Sequence, residues 1–174
     1  MRCFMIIRQE KAGDSETIYF VIKKAFESAE HADGNEPDLV NELRKSEAYI
    51  PELSLVAEIN GEVIGHIMFT RATVEGYAVL ALAPLSVLPE YQRQGIGTAL
   101  IKEGHRIAEK LGYGYSIVLG SELYYPKSGY LPADTYGIKP VFDVPRENFM
   151  AYKLNDNASN IFGVMKYAKE FDIG

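Results

Sequence analysis

The segment from Gln92 to Thr98 combines amide, cationic and glycine residues directly after an apolar stretch, and this combination suits the binding of a phosphate. The apolar stretch ends at Val87, Pro89 lies in a short turn, and Gly95 and Gly97 open a helix with one apolar face. Backbone N–H groups in the first turn of a helix have no carbonyl partner within it, and the helix dipole adds positive potential there. An anion can therefore accept several hydrogen bonds at this point.

Two other glycine-containing phosphate loops do not match this segment. A P-loop requires a lysine after its last glycine, and Thr98 follows Gly97 here. The dinucleotide-binding fingerprint requires a third glycine further along the helix, which the segment lacks. The remaining alternative is a strand-to-helix turn whose glycines serve packing alone. The apolar strand before the turn, its polar residues and the long helix after it favour phosphate binding.

Apolar runs and helical periodicities alternate along the chain and predict the elements that position this loop. Strands are predicted over residues 4–8, 53–59, 63–74, 79–87, 117–119 and 149–154. Asp14 or Ser15 is predicted to cap a first helix, and Pro51 is predicted to close the segment after the second. Each helix should bury the apolar residues that recur at helical spacing. In the first helix these are Ile18, Val21, Ile22, Ala25 and Phe26, and in a short second helix they are Leu39, Val40 and Leu43. In a third helix over residues 98–111 they are Leu100, Ile101, Ile107, Ala108 and Leu111, and one further helical turn is predicted at 124–128.

Two local signals constrain how the strands meet. Asn60-Gly61 lies between the second and third predicted strands and is a strong signal for a tight hairpin. Pro84 lies inside the fourth, which is apolar on both faces and therefore suits a central position. Because proline has no N–H to donate to a neighbouring strand, we expect the fourth strand to bulge or diverge near Pro84.

These residues together resemble a known enzyme family. The spacing Gln92-x-x-Gly95-x-Gly97 matches the Q/R-x-x-G-x-G/A pattern of the GNAT N-acetyltransferases, and segment 125–130 follows in the expected order. Segments 51–58, 65–67, 82–85 and 163–171 are similar to the YhbS-like branch of that family. The chain departs from many relatives at Arg93, where glycine is common, and at Tyr130, where phenylalanine is common.

The resemblance implies an α/β (α+β) fold in one domain over residues 1–174. Its mixed, mostly antiparallel sheet would be splayed between strands 4 and 5, with helices on both faces, as in other acyl-CoA N-acyltransferases. The gap would admit the pantetheine arm of acetyl-CoA, and the loop would receive its pyrophosphate. The residues implied in cofactor binding are Gln92, Arg93, Gln94, Gly95, Ile96, Gly97 and Thr98 in the loop, with Leu85, Ser86 and Val87 on the splayed strand, where a backbone N–H would also stabilise the oxyanion.

Acetyl transfer to an amine also needs an acid for the departing thiolate and an acceptor for the amine proton. The resemblance implies Tyr125 as the acid, in preference to Tyr124, with packing under the turn as the alternative role. The splayed strand carries no Asp or Glu to act as base. Glu58 and His66 are candidates that would act through a water, although an exposed carboxylate and a core histidine are the simpler interpretations.

Other polar residues give weaker signals. His31, Asp33 and Glu36 lie in a segment that can recognise a cationic substrate or be a solvated charge run. The three histidines lack metal-ligand spacing and Cys3 is the only cysteine, so no metal and no disulfide are predicted.

The leading hypothesis is an acetyl-CoA-dependent N-acetyltransferase in which a primary amine attacks directly. The alternative, motivated by the missing base, is a non-catalytic acyl-CoA-binding sensor or partner module. The acceptor cannot be identified from these residues, and neither can the size of the natural acyl group.

Composition narrows the environment. The chain has 174 residues and a formal net charge of −6, which disfavours general binding to nucleic acid. Residues 1–7 are too short an apolar run for a signal core, and no later run approaches the ~18 residues of a membrane span. We therefore expect a cytoplasmic protein without membrane association, either monomeric or homodimeric.

Overall fold

The computed structural model describes residues 4–27 and 34–172, so His31, Asp33 and Cys3 lie outside the described residues. Within these ranges, the helices are α1 (Ser15–Phe26), α2 (Glu36–Arg44) and α3 (Ile96–Lys110), and none of them is both long and apolar enough to cross a membrane. The strands are β1 (Met5–Gln9), β2 (Tyr49–Ile59), β3 (Glu62–Val74), β4 (Tyr77–Val87), β5 (Tyr115–Leu119), β6 (Leu131–Pro132), β7 (Ile138–Lys139), β8 (Phe149–Lys153) and β9 (Gly163–Lys166).

The strands form one mixed sheet in the order β1-β2-β3-β4-β5-β8-β6, and β9 pairs with the end of β3 and with β7. All neighbouring pairs are antiparallel except β4 with β5 and β7 with β9. The β2–β3 hairpin turns through Asn60 and Gly61, whose φ angles of 52° and 84° are those a tight primed turn requires. The predicted sheet and the predicted hairpin are both confirmed.

The fourth strand leaves its neighbour early. Pairing between β4 and β5 is limited to Leu80 with Ser116 and Ala81 with Ile117, after which the strands diverge. On its other side, β4 shifts register against β3 between Ile67 and Phe69, next to Pro84. The predicted divergence near Pro84 is therefore confirmed, and it opens a gap in the middle of the sheet.

Helices cover both faces of the sheet. Along β2, Leu55 and Ala57 pack on the face that α3 covers, whereas Val56 packs on the face that α1 and α2 cover. This alternation follows from the two-residue period of a strand. Leu100 of α3 and Ile18 of α1 are fully buried against these opposite faces.

Three local predictions in this part of the chain need correction. Helix α3 begins at Ile96 rather than residue 98, and Leu111, which follows its last residue, is 43% exposed instead of facing inward. Pro51 does not close a segment but lies within β2, where the register against β3 is irregular between Tyr49 and Ser54. Between Tyr130 and the end the sequence indicates further strand but resolves only the one at residues 149–154, because β6, β7 and β9 have two to four residues each.

Asp14 precedes α1 but does not cap it. Its carboxylate accepts a hydrogen bond from the backbone N–H of Lys11 at 2.7 Å. It also accepts two hydrogen bonds from the guanidinium of Arg8, at 2.7 and 3.1 Å. The side chain therefore stabilises the turn between β1 and α1. Sequence spacing alone cannot distinguish this arrangement from a cap, because Arg8 reaches Asp14 from outside the helix.

A buried chain of hydrogen bonds ties α3 to the strand beyond the gap. The Tyr130 hydroxyl lies 2.9 Å from Nε2 of His105 and 2.8 Å from Oγ of Ser116 on β5. The imidazole of His105 also stacks on Tyr152, with ring centroids 4.2 Å apart. Burial lowers the pKa of His105 to about 4.

We expect this histidine to make the fold sensitive to acid. Its pKa is about 6.5 in the unfolded chain and about 4 in the folded one. Between pH 6.5 and pH 4 the imidazole is therefore protonated in the unfolded chain but neutral in the folded chain. The free energy of unfolding should therefore fall as the pH drops from 6.5 toward 4. His105→Gln, which can still bond the Tyr130 hydroxyl, should show a smaller fall.

Urea unfolding at pH 7 and pH 4.5 measures this difference. Burial also lowers the pKa of His66, so the comparison between wild type and variant, rather than the slope alone, reports on His105. Equal losses of stability in both proteins would contradict the prediction.

Candidate active site

A cavity of about 1130 Å³ opens where β4 and β5 separate. On the α3 face its wall includes Gly97 and Tyr124, and on the α1 face it includes Phe26, Leu39 and Phe171. Because residues from both faces line the same space, the cavity passes through the gap in the sheet. A ligand on one face can therefore meet a ligand on the other.

The glycine loop is held in shape by its own side chains. The Gln92 amide donates to the Val87 carbonyl at 3.0 Å, and the Gln94 amide donates to the Glu90 carbonyl at 3.3 Å. Arg93 has a φ of 63°, in the left-handed region that few residues other than glycine adopt. All the predicted loop residues line the cavity except Gln94, which serves to fasten the loop.

The N-terminus of α3 points its free donors at the cavity. The helix has fifteen residues, and the first-turn residues Ile96, Gly97 and Thr98 all line the cavity wall. Their N–H groups have no carbonyl partner within the helix. Arg93 and Lys127 contribute positive charge to the same wall. This end of the cavity is thus suited to an anion with several oxygens.

The two glycines of the loop are required for different reasons. Gly95 has a φ of 82° and open space beside it, so its role is conformational. A Cβ at Gly97 would collide with the Tyr124 hydroxyl, so Gly97 permits a close approach between α3 and the turn at residues 124–128. The packing alternative considered for the loop therefore describes part of what Gly97 does.

The end of β4 presents backbone donors to the gap. Leu88 N–H donates to the Ile64 carbonyl of β3 at 2.9 Å. Since alternate residues of a strand direct their backbone groups to opposite sides, Ser86 faces β3 whereas Leu85 and Val87 face the gap. Leu85 and Val87 line the cavity, whereas Ser86 is buried and does not line it.

Two adjacent tyrosines reach the cavity from the turn after β5. Burial raises the pKa of the Tyr125 hydroxyl well above its usual value near 10, so it remains protonated at neutral pH. Burial also raises the pKa of Tyr124, and a hydrogen bond with Thr98 partly offsets this increase. Tyr124 packs against Gly97 and Thr98, whereas Tyr125 bonds to no other described side chain and is available to a ligand.

The two candidate bases do not line the cavity. Glu58 forms an ion pair with Arg8 at 2.7 Å on the neighbouring strand β1. His66 is completely buried beneath α1 and α2, with Nε2 at 3.0 Å from Oγ of Ser54 and 3.6 Å from Oε1 of Glu10. Burial lowers the pKa of His66 below its usual range. Neither residue therefore shares the cavity wall with the tyrosines and the loop.

The structure adds a group of residues that the sequence did not single out as a site. Beyond the gap, on the face away from α3, the wall contains Phe26, Leu39, Phe142, Tyr167 and Phe171. Glu36, considered earlier as a cation-recognition residue, lies in the same wall. These side chains come from four separate segments, so no local spacing could have predicted their meeting.

Comparison with known proteins agrees with this geometry. Residues 17–130 match the model of the acetyltransferase (GNAT) family. The chain therefore belongs to the GNAT family of acetyltransferases.

Individual relatives support the same branch. The chain is 29% identical to the uncharacterized N-acetyltransferase YhbS of Escherichia coli over 97% of its length and 99% of the relative's. It is 41% identical to the uncharacterized N-acetyltransferase YjhQ of the same organism, over a segment that covers 65% of each chain.

Two solved structures closely match the fold. The crystal structure of Escherichia coli YhbS in complex with CoA has a TM-score of 0.89 at 27% identity, covering 99% of this chain and 94% of that one. A GNAT family acetyltransferase from Brucella melitensis in complex with acetyl-CoA has a TM-score of 0.82 at 30% identity, covering 97% and 99%. The predicted resemblance to the YhbS-like branch is confirmed.

The contact between Gly97 and Tyr124 can be tested by a double substitution. Gly97→Ala should lower the free energy of unfolding by about 1–3 kcal/mol, the usual cost of forcing a methyl group into a packed site. Tyr124→Phe removes the colliding hydroxyl and leaves the nearest ring carbon at 3.5 Å, an ordinary contact. In the double variant, we therefore expect most of the stability to return. Urea unfolding of all four proteins gives the coupling energy, and purely additive losses would argue against the contact.

Proposed function

We propose that the chain transfers the acetyl group of acetyl-CoA to a primary amine by direct attack. The observation that carries the proposal is the cavity through the sheet, which joins an anion-binding helix end, free strand donors and a protonated tyrosine. The relatives solved with CoA and with acetyl-CoA support the same choice of donor.

The residues of the α3 face suit the parts of acetyl-CoA. The N–H groups of Ile96, Gly97 and Thr98 and the cation of Arg93 would bind the pyrophosphate. The exposed edge of β4 would pair with the amides of the pantetheine arm, as an added strand does. This placement brings the thioester to the gap, beside Tyr125.

The chemical step then needs only groups in the cavity wall. The neutral amine forms its N–C bond with the thioester carbonyl carbon, and the carbonyl electron pair moves to oxygen, where the N–H of Leu85 or Val87 stabilises it. The nitrogen loses a proton to water, the C–S bond breaks, and the thiolate takes a proton from the Tyr125 hydroxyl, which water restores. The products are an N-acetyl amine and CoA. One proton is also released if the amine arrives at the protein as an ammonium ion.

The proton acceptor in this proposal is water in the cavity rather than a side chain of β4. Neither Glu58 nor His66 lines the cavity, so a role for either would require an intervening chain of waters.

Tyr125→Phe tests the acid. Because one positioned proton donor is worth on the order of 10²-fold or more, kcat should fall about a hundredfold while the affinity for acetyl-CoA stays the same. Steady-state release of CoA measures kcat, and calorimetry measures the affinity. Tyr77→Phe is the matched control, since Tyr77 is 63% exposed at the start of β4 and does not line the cavity.

An unchanged kcat in Tyr125→Phe would remove the proposed acid. Saturable binding of acetyl-CoA with no transfer to any amine would favour the alternative function, an acyl-CoA-binding module without catalysis.

Arg93→Glu tests the phosphate loop. It replaces a cation with an anion at an exposed position that stays non-glycine, so the fold should be unaffected while acetyl-CoA binds about tenfold more weakly, as expected for a lost charge-assisted contact of ~1.5 kcal/mol. Lys23→Glu makes the same charge change on the exposed side of α1 and should have no effect.

Calorimetric titration with acetyl-CoA and with S-acetylpantetheine, which lacks the pyrophosphate, separates the loop from the rest of the site. The Arg93→Glu effect should disappear for S-acetylpantetheine. Equal weakening for both ligands, or none for acetyl-CoA, would contradict the pyrophosphate assignment.

A further inference from the structure

The geometry of the wall beyond the gap points to the class of acceptor. We infer that the acceptor is a small primary amine carried on an aromatic body, with the ammonium group held by Glu36 and the body packed against an aromatic wall. This inference rests on the proposed function, because it assigns the second half of the same cavity.

The aromatic wall consists of Phe142, Tyr167 and Phe171. The ring centroids of Phe142 and Tyr167 are 6.1 Å apart, and those of Tyr167 and Phe171 are 5.3 Å apart in an edge-on arrangement. These three rings are only partly buried by the rest of the chain, and all of them line the cavity. A ligand ring would therefore gain both apolar burial and the edge-to-face contacts that aromatic groups prefer.

The opposite side of this space is apolar and firmly attached. Phe26 of α1 and Leu39 of α2 line the cavity and pack against the buried residues beneath those helices, as Phe171 does. The Ser46 hydroxyl just after α2 donates to Oε1 of Glu170 at 2.8 Å, which fixes the C-terminal turn against α2. The two sides of the space are therefore held together by packing and by a hydrogen bond.

One carboxylate lies within this apolar surface. Among the described residues that line the cavity, Glu36 is the only acidic one. Its Oε2 is buried and has no hydrogen-bond partner in the described part of the chain. The side chain as a whole is only half-buried and lines the cavity, so its accessible part can be reached by a ligand. An ammonium group there would offset the poor solvation of this carboxylate through a charge-assisted hydrogen bond.

The charges along the cavity are ordered. Arg93 and Lys127 lie on the α3 side, where the anionic part of acetyl-CoA is proposed to bind, and Glu36 lies on the α1 side. The cavity therefore matches an anionic ligand on one face of the sheet and a cationic one on the other. The acceptor amine must approach the thioester from the side that CoA does not occupy, which is the side that contains Glu36.

This chemistry discriminates among amines. A free amino acid brings a carboxylate close to Glu36, where the two negative charges repel each other. A polyamine has a cation for Glu36 but leaves the aromatic wall uncovered, and a short alkylamine covers little of it. An arylalkylamine satisfies both features.

Binding can be tested without turnover by using CoA, which has no acetyl group to transfer. The full chain saturated with CoA is titrated by calorimetry with 2-phenylethylamine, propylamine, phenylalanine and spermidine. We expect 2-phenylethylamine to bind at least tenfold more tightly than each of the other three.

Variants assign the preference to the named residues. Glu36→Gln, which keeps the shape of the side chain, should weaken 2-phenylethylamine binding at least tenfold, whereas Glu42→Gln on the exposed side of the same helix should have no effect. Tyr167→Leu should reduce the preference for 2-phenylethylamine over propylamine. Unchanged calorimetric binding of acetyl-CoA in each variant verifies that the fold is intact.

The outcomes separate this inference from the proposed function. The inference would be overturned if propylamine or spermidine bound as tightly as 2-phenylethylamine, or if Glu36→Gln had no effect. In that case, acetyl-CoA binding together with acetyl transfer to another amine would still support the proposed function. If the protein binds 2-phenylethylamine through Glu36 but transfers the acetyl group only to another amine, the inference about the acceptor fails and the proposed function stands. If it transfers no acetyl group to any amine, the proposed function fails. If CoA does not bind, titration of the protein alone decides the inference by the same criteria.

Discussion

The site depends on the short contact between β4 and β5. Only two residue pairs join these strands, and past Ala81 the backbone of β4 pairs with no other described strand on that side. Backbone N–H groups left without partners in a buried place cost on the order of 1–3 kcal/mol each, so a fold with such a gap needs a ligand or water there. Pro84, which has no N–H, lies at the point where the strands part. The gap both exposes donors and connects the two faces of the sheet.

Several packing contacts keep the surroundings of the gap rigid. The Tyr130 hydroxyl links α3 to β5 through His105 and Ser116, so the two sides of the opening cannot move independently without breaking buried hydrogen bonds. The close approach of Tyr124 to Gly97 fixes the turn that also carries Tyr125. The tyrosine proposed as acid is thus positioned by residues that themselves take no part in the chemistry.

The two halves of the cavity differ in how they are built. The half on the α3 face uses main-chain groups, a helix terminus and two cations, and it comes from contiguous sequence between residues 85 and 98 and the turn near residue 125. The half on the α1 face uses side chains that meet only after α1, α2 and the C-terminal segment have packed together. This difference suits a site in which one ligand is shared across a family and the other is particular to the chain.

The sequence by itself determined the three helices and the longer strands, the Asn60-Gly61 hairpin, the divergence at Pro84 and the glycine loop that opens α3. Each of these follows from local backbone preferences and the period of apolar residues. It could not show that the backbone groups of Leu85 and Val87 face the gap whereas those of Ser86 face β3, since that distinction depends on which residues form hydrogen bonds with β3. It also could not predict that Glu58 and His66 lie outside the cavity wall, or that Glu36 lines the same cavity as Phe142, Tyr167 and Phe171. Those relations were decided by the tertiary structure, because strand register and the packing of distant segments are set by the whole core rather than by neighbours in the chain.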